Sequence, residues 1–346
     1  MGRKKDVNMK MIAKALGVSV VTVSNALNGR KGVSAEKKEE ILQKARELGY
    51  KMVERSDSAL KKRPAHLIGC IVAGRFVTEY PSFYMEIYKN IAREAGKLGS
   101  MTMLEVITPE MESRDLTLPV FKGSQIDGIV MIGELRRSYV NHIAEKYADT
   151  PIVCVDDYDV REDIDYVVTD SFGGMESVTR LLLEQGLNDL IFVGTVGATD
   201  SITDCYLGFC KALERRGISP DIHAPIPDRI ADQLITPELP DELPQGFVCN
   251  CDRTAFEVIR ILRNRGIRVP EDVSVAGFDN YPRDSAEGIR LTTYCNDEKV
   301  VSQQSLHILF NRIEKKVPPQ GVRIIGGSVV RGESIKYRRQ SKHGGH

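Results

Sequence analysis

Much of what would mark an enzyme or a membrane protein is missing from these 346 residues. No uninterrupted apolar run approaches the roughly 18 residues that a bilayer helix needs, which excludes a helical membrane span. The phosphate-cradling GxxxxGKS/T, the nucleophile-bearing GxSxG and the zinc-binding HExxH are all absent. Only six histidines occur, two of them in the terminal Lys342-His343-Gly344-Gly345-His346, so nucleophile and base pairs are hard to assemble and no catalytic residue is expected. Met1-Gly2 has no Ser or Thr at position 6 to complete a myristoylation signal. The seven cysteines, at 70, 154, 205, 210, 249, 251 and 295, form no paired framework; an odd count without a signal peptide fits reduced thiols in the cytoplasm. Cys249 and Cys251 lack a second Cys/His pair at zinc spacing, so structural thiols are expected, with no metal and no cofactor.

Net charge is also absent, with 48 Lys+Arg against 48 Asp+Glu, but it is unevenly spread. Residues 1–63 hold 16 basic and 7 acidic side chains, leaving 32 and 41 for the remainder. A basic head on an acidic body confines any footprint for a polyanion to the head.

Within that head, Asn8 to Asn28 reads as two short helices joined by a turn. Ile12, Ala13 and Leu16 recur at helical spacing, as do Val23, Ala26 and Leu27, giving each helix an apolar face. Gly17 permits the turn, Ser19 can cap the second helix and Asn8 the first. Val20, Val21, Thr22, Ser24 and Asn25 are then free to meet base edges and phosphates. An ordinary helical hairpin would show the same pattern; the charge asymmetry favours DNA. A third helix from about Ser34 to Leu48, striped by Ile41, Leu42, Ala45 and Leu48, would close a three-helix domain, with Lys37 and Lys38 either facing phosphate or simply solvated.

The residues Leu16-Gly17-Val18-Ser19, Thr22-Val23-Ser24, Leu27-Asn28-Gly29, Val33-Ser34 and Glu47-Leu48-Gly49-Tyr50 resemble the headpiece of the LacI/GalR family of bacterial transcription regulators. The resemblance continues through Gly208-Phe209, Ala212-Leu213 and Asp252 to the run from Val269 to Asn280, ending Gly277-Phe278-Asp279-Asn280, and on to Leu291-Thr292-Thr293. It implies a homodimeric repressor on a pseudo-palindromic operator, whose DNA affinity responds to a small effector, usually a sugar or related metabolite. It implies base reading by Val20, Val21 and Asn25, and phosphate contact or capping by Asn8, Ser19, Thr22, Ser24, Asn28 and Ser34. Valines cannot hydrogen-bond a base edge, so they would contact thymine methyl groups and leave Asn25 as the hydrogen-bonding reader. The linker Lys51 to Ala65 departs from the family in lacking Pro after Tyr50; Leu60 either wedges into the minor groove or packs on the body.

The sequence therefore predicts an α/β protein: a helix-turn-helix headpiece over 1–50, a hinge over 51–65, a two-lobed body over 66–337 and a disordered basic, Gly- and His-containing tail over 338–346. β-branched segments at 67–72, 101–107, 128–132, 152–155, 190–193, 246–249 and 273–276 alternate with helical patterns such as 83–98, 173–185 and 300–313. Such alternation argues for two parallel sheets covered on both faces, with ligand bound beyond the carboxyl ends of their strands. The resemblance adds a body like periplasmic sugar-binding proteins, with chain crossovers near 169, 295 and 325.

Asp279, at a strand end, is the leading effector contact, and Asn296 lines the pocket in relatives. Asp252 is either a ligand or a structural aspartate, and Asp170 either a ligand or a helix cap. Phe83 and Tyr84 either stack on a ring or join the core. Cys205 stands where relatives carry a clamping arginine, and Cys251 where many have Asn; the usual sugar effector is in doubt on that account. Two rivals remain at this level: a stand-alone small-molecule binder, and a DNA binder that has lost its effector response.

Overall fold

The computed structural model describes residues 9–27, 33–48, 65–77, 82–114, 121–159, 161–230, 233–281 and 288–338. Asn8, Asn28, Leu60, nearly all of the linker and the tail beyond 338 lie outside the described residues. Contacts divide the chain into two units, Met1–Arg63 and Pro64–His346.

In the first unit, α1 (Met9–Leu16), α2 (Val20–Leu27) and α3 (Ala35–Glu47) enclose a core of Ile12, Ala13, Val23, Ala26, Ile41 and Ala45. Gly17 turns the chain at φ +64°, a conformation that a Cβ would strain, and Val18 closes the turn by donating to the Ala13 carbonyl at 3.1 Å. Ser19 then starts α2: its Oγ accepts from the Thr22 amide at 3.0 Å. Ser34 caps α3 in the same way through the Lys37 amide, at 3.3 Å. Three short helices thus depend on one shared apolar centre and on side-chain caps, since helices of eight residues are marginal alone.

The second unit begins with β1 (Leu67–Ala73), α4 (Phe83–Lys97), β2 (Met101–Ile107), α5 (Pro109–Ser113), β3 (Gly128–Ile132), α6 (Arg137–Lys146), β4 (Ile152–Val155) and β5 (Asp165–Thr169). It continues through α7 (Ser171–Glu184), β6 (Leu190–Val193), α8 (Asp200–Arg215), β7 (Arg229–Ile230), β8 (Gln233–Leu234), β9 (Gly246–Cys249), α9 (Asp252–Asn264), β10 (Ser274–Ala276) and β11 (Thr293–Cys295). It closes with α10 (Glu298–Lys315), β12 (Val322–Ile325) and β13 (Ser328–Val330).

One lobe is a parallel six-stranded sheet in the order β12-β5-β4-β3-β1-β2. Its central strands are buried along almost every residue, whereas the edge strands β2 and β12 expose Met101, Val106, Val322 and Ile324. Continuous apolar runs are what a sheet covered on both faces demands. The other lobe carries the parallel order β10-β9-β6, extended by bridges to Ile226 and Thr292 and flanked by the antiparallel pair β11-β13. The chain passes between lobes after β5, after β11 and after β12, so three segments join them.

Several boundaries differ from the sequence expectation for local reasons. α7 starts at Ser171 rather than near 173 because Asp170 caps it, accepting from the Gly173 amide at 2.9 Å. α10 starts at Glu298 because Asp297 accepts from the amides of Lys299 and Val300. The strands β5, β7, β8, β11, β12 and β13 were not anticipated: β7, β8, β11 and β13 are two or three residues long, β12 is an edge strand, and β5 is an interior strand whose apolar run is bounded by Asp165 and Thr169.

Candidate functional site

Two surfaces concern function, one on each unit. On the first unit, the start of α2 carries two apolar side chains that the core does not take up: Val20 is 41% exposed and Val21 67%. Thr22, Ser24 and Asn25 are half-buried beside them, and the Thr22 hydroxyl lies 2.8 Å from Ser19 Oγ. An exposed valine pair on a helix whose other face is core is costly in water and suited to apolar contact with base methyl groups. Lys37 is paired with Glu40 at 2.7 Å, an exposed pair of little energetic weight that a phosphate could displace.

On the second unit the carboxyl ends of the two sheets supply facing polar groups. From the first lobe, Asp156 follows β4 at φ +61° and accepts from the Tyr84 hydroxyl at 3.0 Å and from the Thr169 hydroxyl at 3.2 Å. From the second, Asp279 stands at φ +91°, bridges in register to Cys295, and accepts from Asn296 Nδ2 at 2.9 Å. Non-glycine residues at positive φ are strained and persist only where the surroundings hold them. Burial pushes Asp156 up to about 6 and Asp279 up to about 7, and the charge of Asp156 adds to the rise at Asp279. Tyr84 is raised well above its ordinary value, by burial first and then by the Asp156 and Asp279 charges. Phe83 packs edge-on to Tyr84 and to Tyr281 of the opposite lobe, with ring centroids 5.6 and 5.9 Å apart.

Arg229, on β7, is the cation whose charge reaches these groups, opposing the rise at both Tyr84 and Asp279. Its Nε and one terminal nitrogen hold Asp228 at 3.1 and 2.9 Å. Asp228 is buried and also accepts from the Thr195 amide, Asn250 Nδ2 and the Thr254 hydroxyl, each at 3.0 Å. Burial opposes its charge, but these donors hold it below the usual carboxylate range.

The other predicted residues fall around this centre. Asp252 is buried and tied into the fold: its Oδ1 accepts from the Thr293 hydroxyl at 2.6 Å, its amide donates to Phe278, and burial raises its pKa well above normal. A Cβ on Gly277 would lie 2.2 Å from that carboxylate, so glycine is required there. Asp170 is the cap of α7. Cys205 is 2% exposed within the apolar cluster of the second lobe, and Cys251 sits within 3.3 Å of Thr254. Both thiols feel the Asp279 charge and both are raised, chiefly by burial.

Models of two protein families match the chain. "Bacterial regulatory proteins, lacI family" matches residues 8–52 and "Periplasmic binding protein-like domain" matches residues 179–335. The chain thus combines a LacI-family helix-turn-helix domain with a periplasmic-binding-protein-like domain. The HTH-type transcriptional repressor PurR of Histophilus somni is 28% identical over 342 residues, covering 95% of this chain and 98% of the relative. A lac repressor dimer bound to operator and the anti-inducer ONPF superposes with TM-score 0.64 at 18% identity, covering 95% of this chain and 99% of that one. A LacI-family regulator from Enterococcus faecium with bound ribose gives TM-score 0.66 at 22% identity, covering 79% and 100%.

The cleft also holds Asp156, Arg229 and Tyr281, none of which the sequence pattern marked as site residues. Asp156 was within reach, because it directly follows the apolar strand Ile152–Val155. Arg229 was not, because β7 is two residues long and its partner Asp228 adjoins it without any periodic signal.

Proposed function

We propose that the protein is a repressor that binds a pseudo-palindromic operator as a homodimer, and that a small polar effector, a sugar or related metabolite, binds between the lobes and changes operator affinity. The observation that carries this reading is the facing of Asp156 and Asp279 from opposite lobes: a ligand bonded to both stabilises one lobe arrangement over others, which is what a two-state sensor requires. Ribose in one structural relative and operator in another support the two halves of the reading. Cys205 lacks the guanidinium expected of a clamp, and Arg229 brings one to the same cleft from β7, so loss of effector response does not follow from Cys205 alone.

The proposed organisation is a headpiece to residue 50, a hinge to 65 and a body to 337, acting in the cytoplasm. Asn25, Val20 and Val21 read bases; Ser19, Thr22, Ser24 and Ser34 contact phosphate or cap. A catalytic role is not proposed: the cleft thiols are pushed up by burial, the reverse of what a nucleophile needs. No helix among the described residues is long and apolar enough to cross a membrane.

Titrating the full chain against genomic fragments tests the DNA half, with affinity expected to fall steeply with salt. Absence of any protected fragment refutes it. Thermal shift against metabolites tests the other half, because a true effector stabilises the folded state by mass action.

A further inference from the structure

The cleft is rich in hydrogen-bond acceptors and short of positive charge. Among the described residues no Lys, Arg or His lies within ion-pair distance of Asp156 or of Asp279, and their side-chain donors are hydroxyls and one amide: Tyr84 and Thr169 on Asp156, Asn296 on Asp279. Arg229, the nearby cation, is committed bidentately to Asp228. An independent observation points the same way. Asn296 is 3% exposed, and while its Nδ2 is used on Asp279, its Oδ1 is buried without any partner. A buried orphan acceptor beside the Asp279 carboxylate is destabilising until a donor reaches it.

Resting on the effector reading above, we propose that the ligand this cleft takes is a polyhydroxylated small molecule bearing a protonated amine, with the ammonium bonded to Asp156 and Asp279 and a neighbouring donor satisfying Asn296 Oδ1. An ammonium offers three donors and no acceptor, which complements this arrangement where a neutral hydroxyl offers one donor. It also supplies the counter-charge that two like charges in a partly buried site lack. A sugar phosphate or a carboxylate meets the opposite condition, since its charge would face both aspartates and the guanidinium already held by Asp228. The phenyl and phenol rings of Phe83, Tyr84 and Tyr281 complete the wall with apolar faces for the carbon skeleton. The groups facing the two carboxylates are Tyr84, Thr169 and Glu134 around Asp156, and Asn296, Arg229, Cys205, Cys251 and Asp252 around Asp279.

The test is a thermal-shift and calorimetric comparison on the full chain with three matched sets of probes: glucosamine, galactosamine and N-methylglucamine as cations; glucose, galactose, ribose and sorbitol as neutral polyols; and glucose 6-phosphate and gluconate as anions. Stabilisation by members of the amine set, weakened about tenfold or more in both Asp156→Asn and Asp279→Asn, supports the proposal. Each variant is checked by its unliganded Tm, so that loss of amine binding is separated from loss of folding. Cleft-dependent stabilisation by the neutral or anionic set, with the amines inert, overturns the proposal and leaves the effector reading standing. Failure of all three sets to stabilise the protein or alter its DNA affinity counts against the effector reading, and the present proposal falls with it.

Discussion

The guanidinium of Arg137, which opens α6 in the first lobe, lies 3.0 Å from the carboxylate of Asp200, which opens α8 in the second. The same guanidinium reaches Asp157 at 2.8 Å, and the Asp200 amide donates to Glu134 at 3.1 Å, so both lobes are fastened at one edge of the cleft. Glu134, Asp157 and Asp200 bring their oxygens within 4.8 Å of one another, and Arg137 supplies the positive charge that makes this tolerable. Burial nevertheless pushes Asp157 up to about 7, with Arg137 opposing the rise.

Removing that charge should loosen the lobes. Arg137→Ala leaves the buried Asp157 uncompensated and is expected to cost about 1–2 kcal/mol, less than for a fully buried pair because Arg137 is partly exposed. Chemical denaturation measures the loss, and small-angle scattering should show a larger body. A double-mutant cycle with Asp200→Ala should return a coupling of roughly 0.5–1 kcal/mol; additivity would mean that the contact does not join the lobes.

On the headpiece, Asn25→Ala should weaken specific operator binding by about 1–3 kcal/mol while barely changing affinity for random DNA. Gel-shift titrations on both duplexes decide it. An equal loss on each would move Asn25 from base reading to phosphate contact.

In the cleft, Asp279→Ala should abolish the effector response and leave operator affinity unchanged, as read by DNA binding with and without the effector. Retained response would place the ligand elsewhere.

The same carboxylate should make stability depend on pH. Asp279 and Asp156 are raised from an ordinary value near 3.8 to about 7 and about 6. A raised carboxylate contributes stability that is fully present below about pH 4 and is lost as pH rises through 6 and 7, because the folded protein resists ionising it. Asp279→Asn should therefore be the more stable protein at pH 8, by roughly 2–4 °C in Tm for each 1 kcal/mol relieved. At pH 4 the two should converge. A difference that does not change between these pH values would show that Asp279 titrates normally.

Legibility in the sequence followed the range of the forces involved. Ser19, Gly17 and the Ile12 stripe act within a few residues of themselves, so the headpiece could be read directly. The buried strands could too, because Leu67–Ala73 and Gly128–Ile132 are apolar throughout. Asp279 was found through resemblance and its place at a strand end. Arg229 acts on groups far away in the chain and nothing local announces it, whereas Asp156 is marked by its place directly after the apolar strand Ile152–Val155. Asp252 and Asp170 left two readings open that only their partners, Thr293 and the Gly173 amide, distinguish.

The threefold passage of the chain between lobes bears on how the protein is made. The first lobe's sheet is incomplete until β12 at residue 325, and the second requires β13 and Ile335, so both lobes are completed by the same late stretch of chain. The headpiece has its core by Leu48. At about 5–20 residues per second, a nascent chain carries a foldable DNA-binding unit for roughly 15–60 seconds before any sensor exists to govern it.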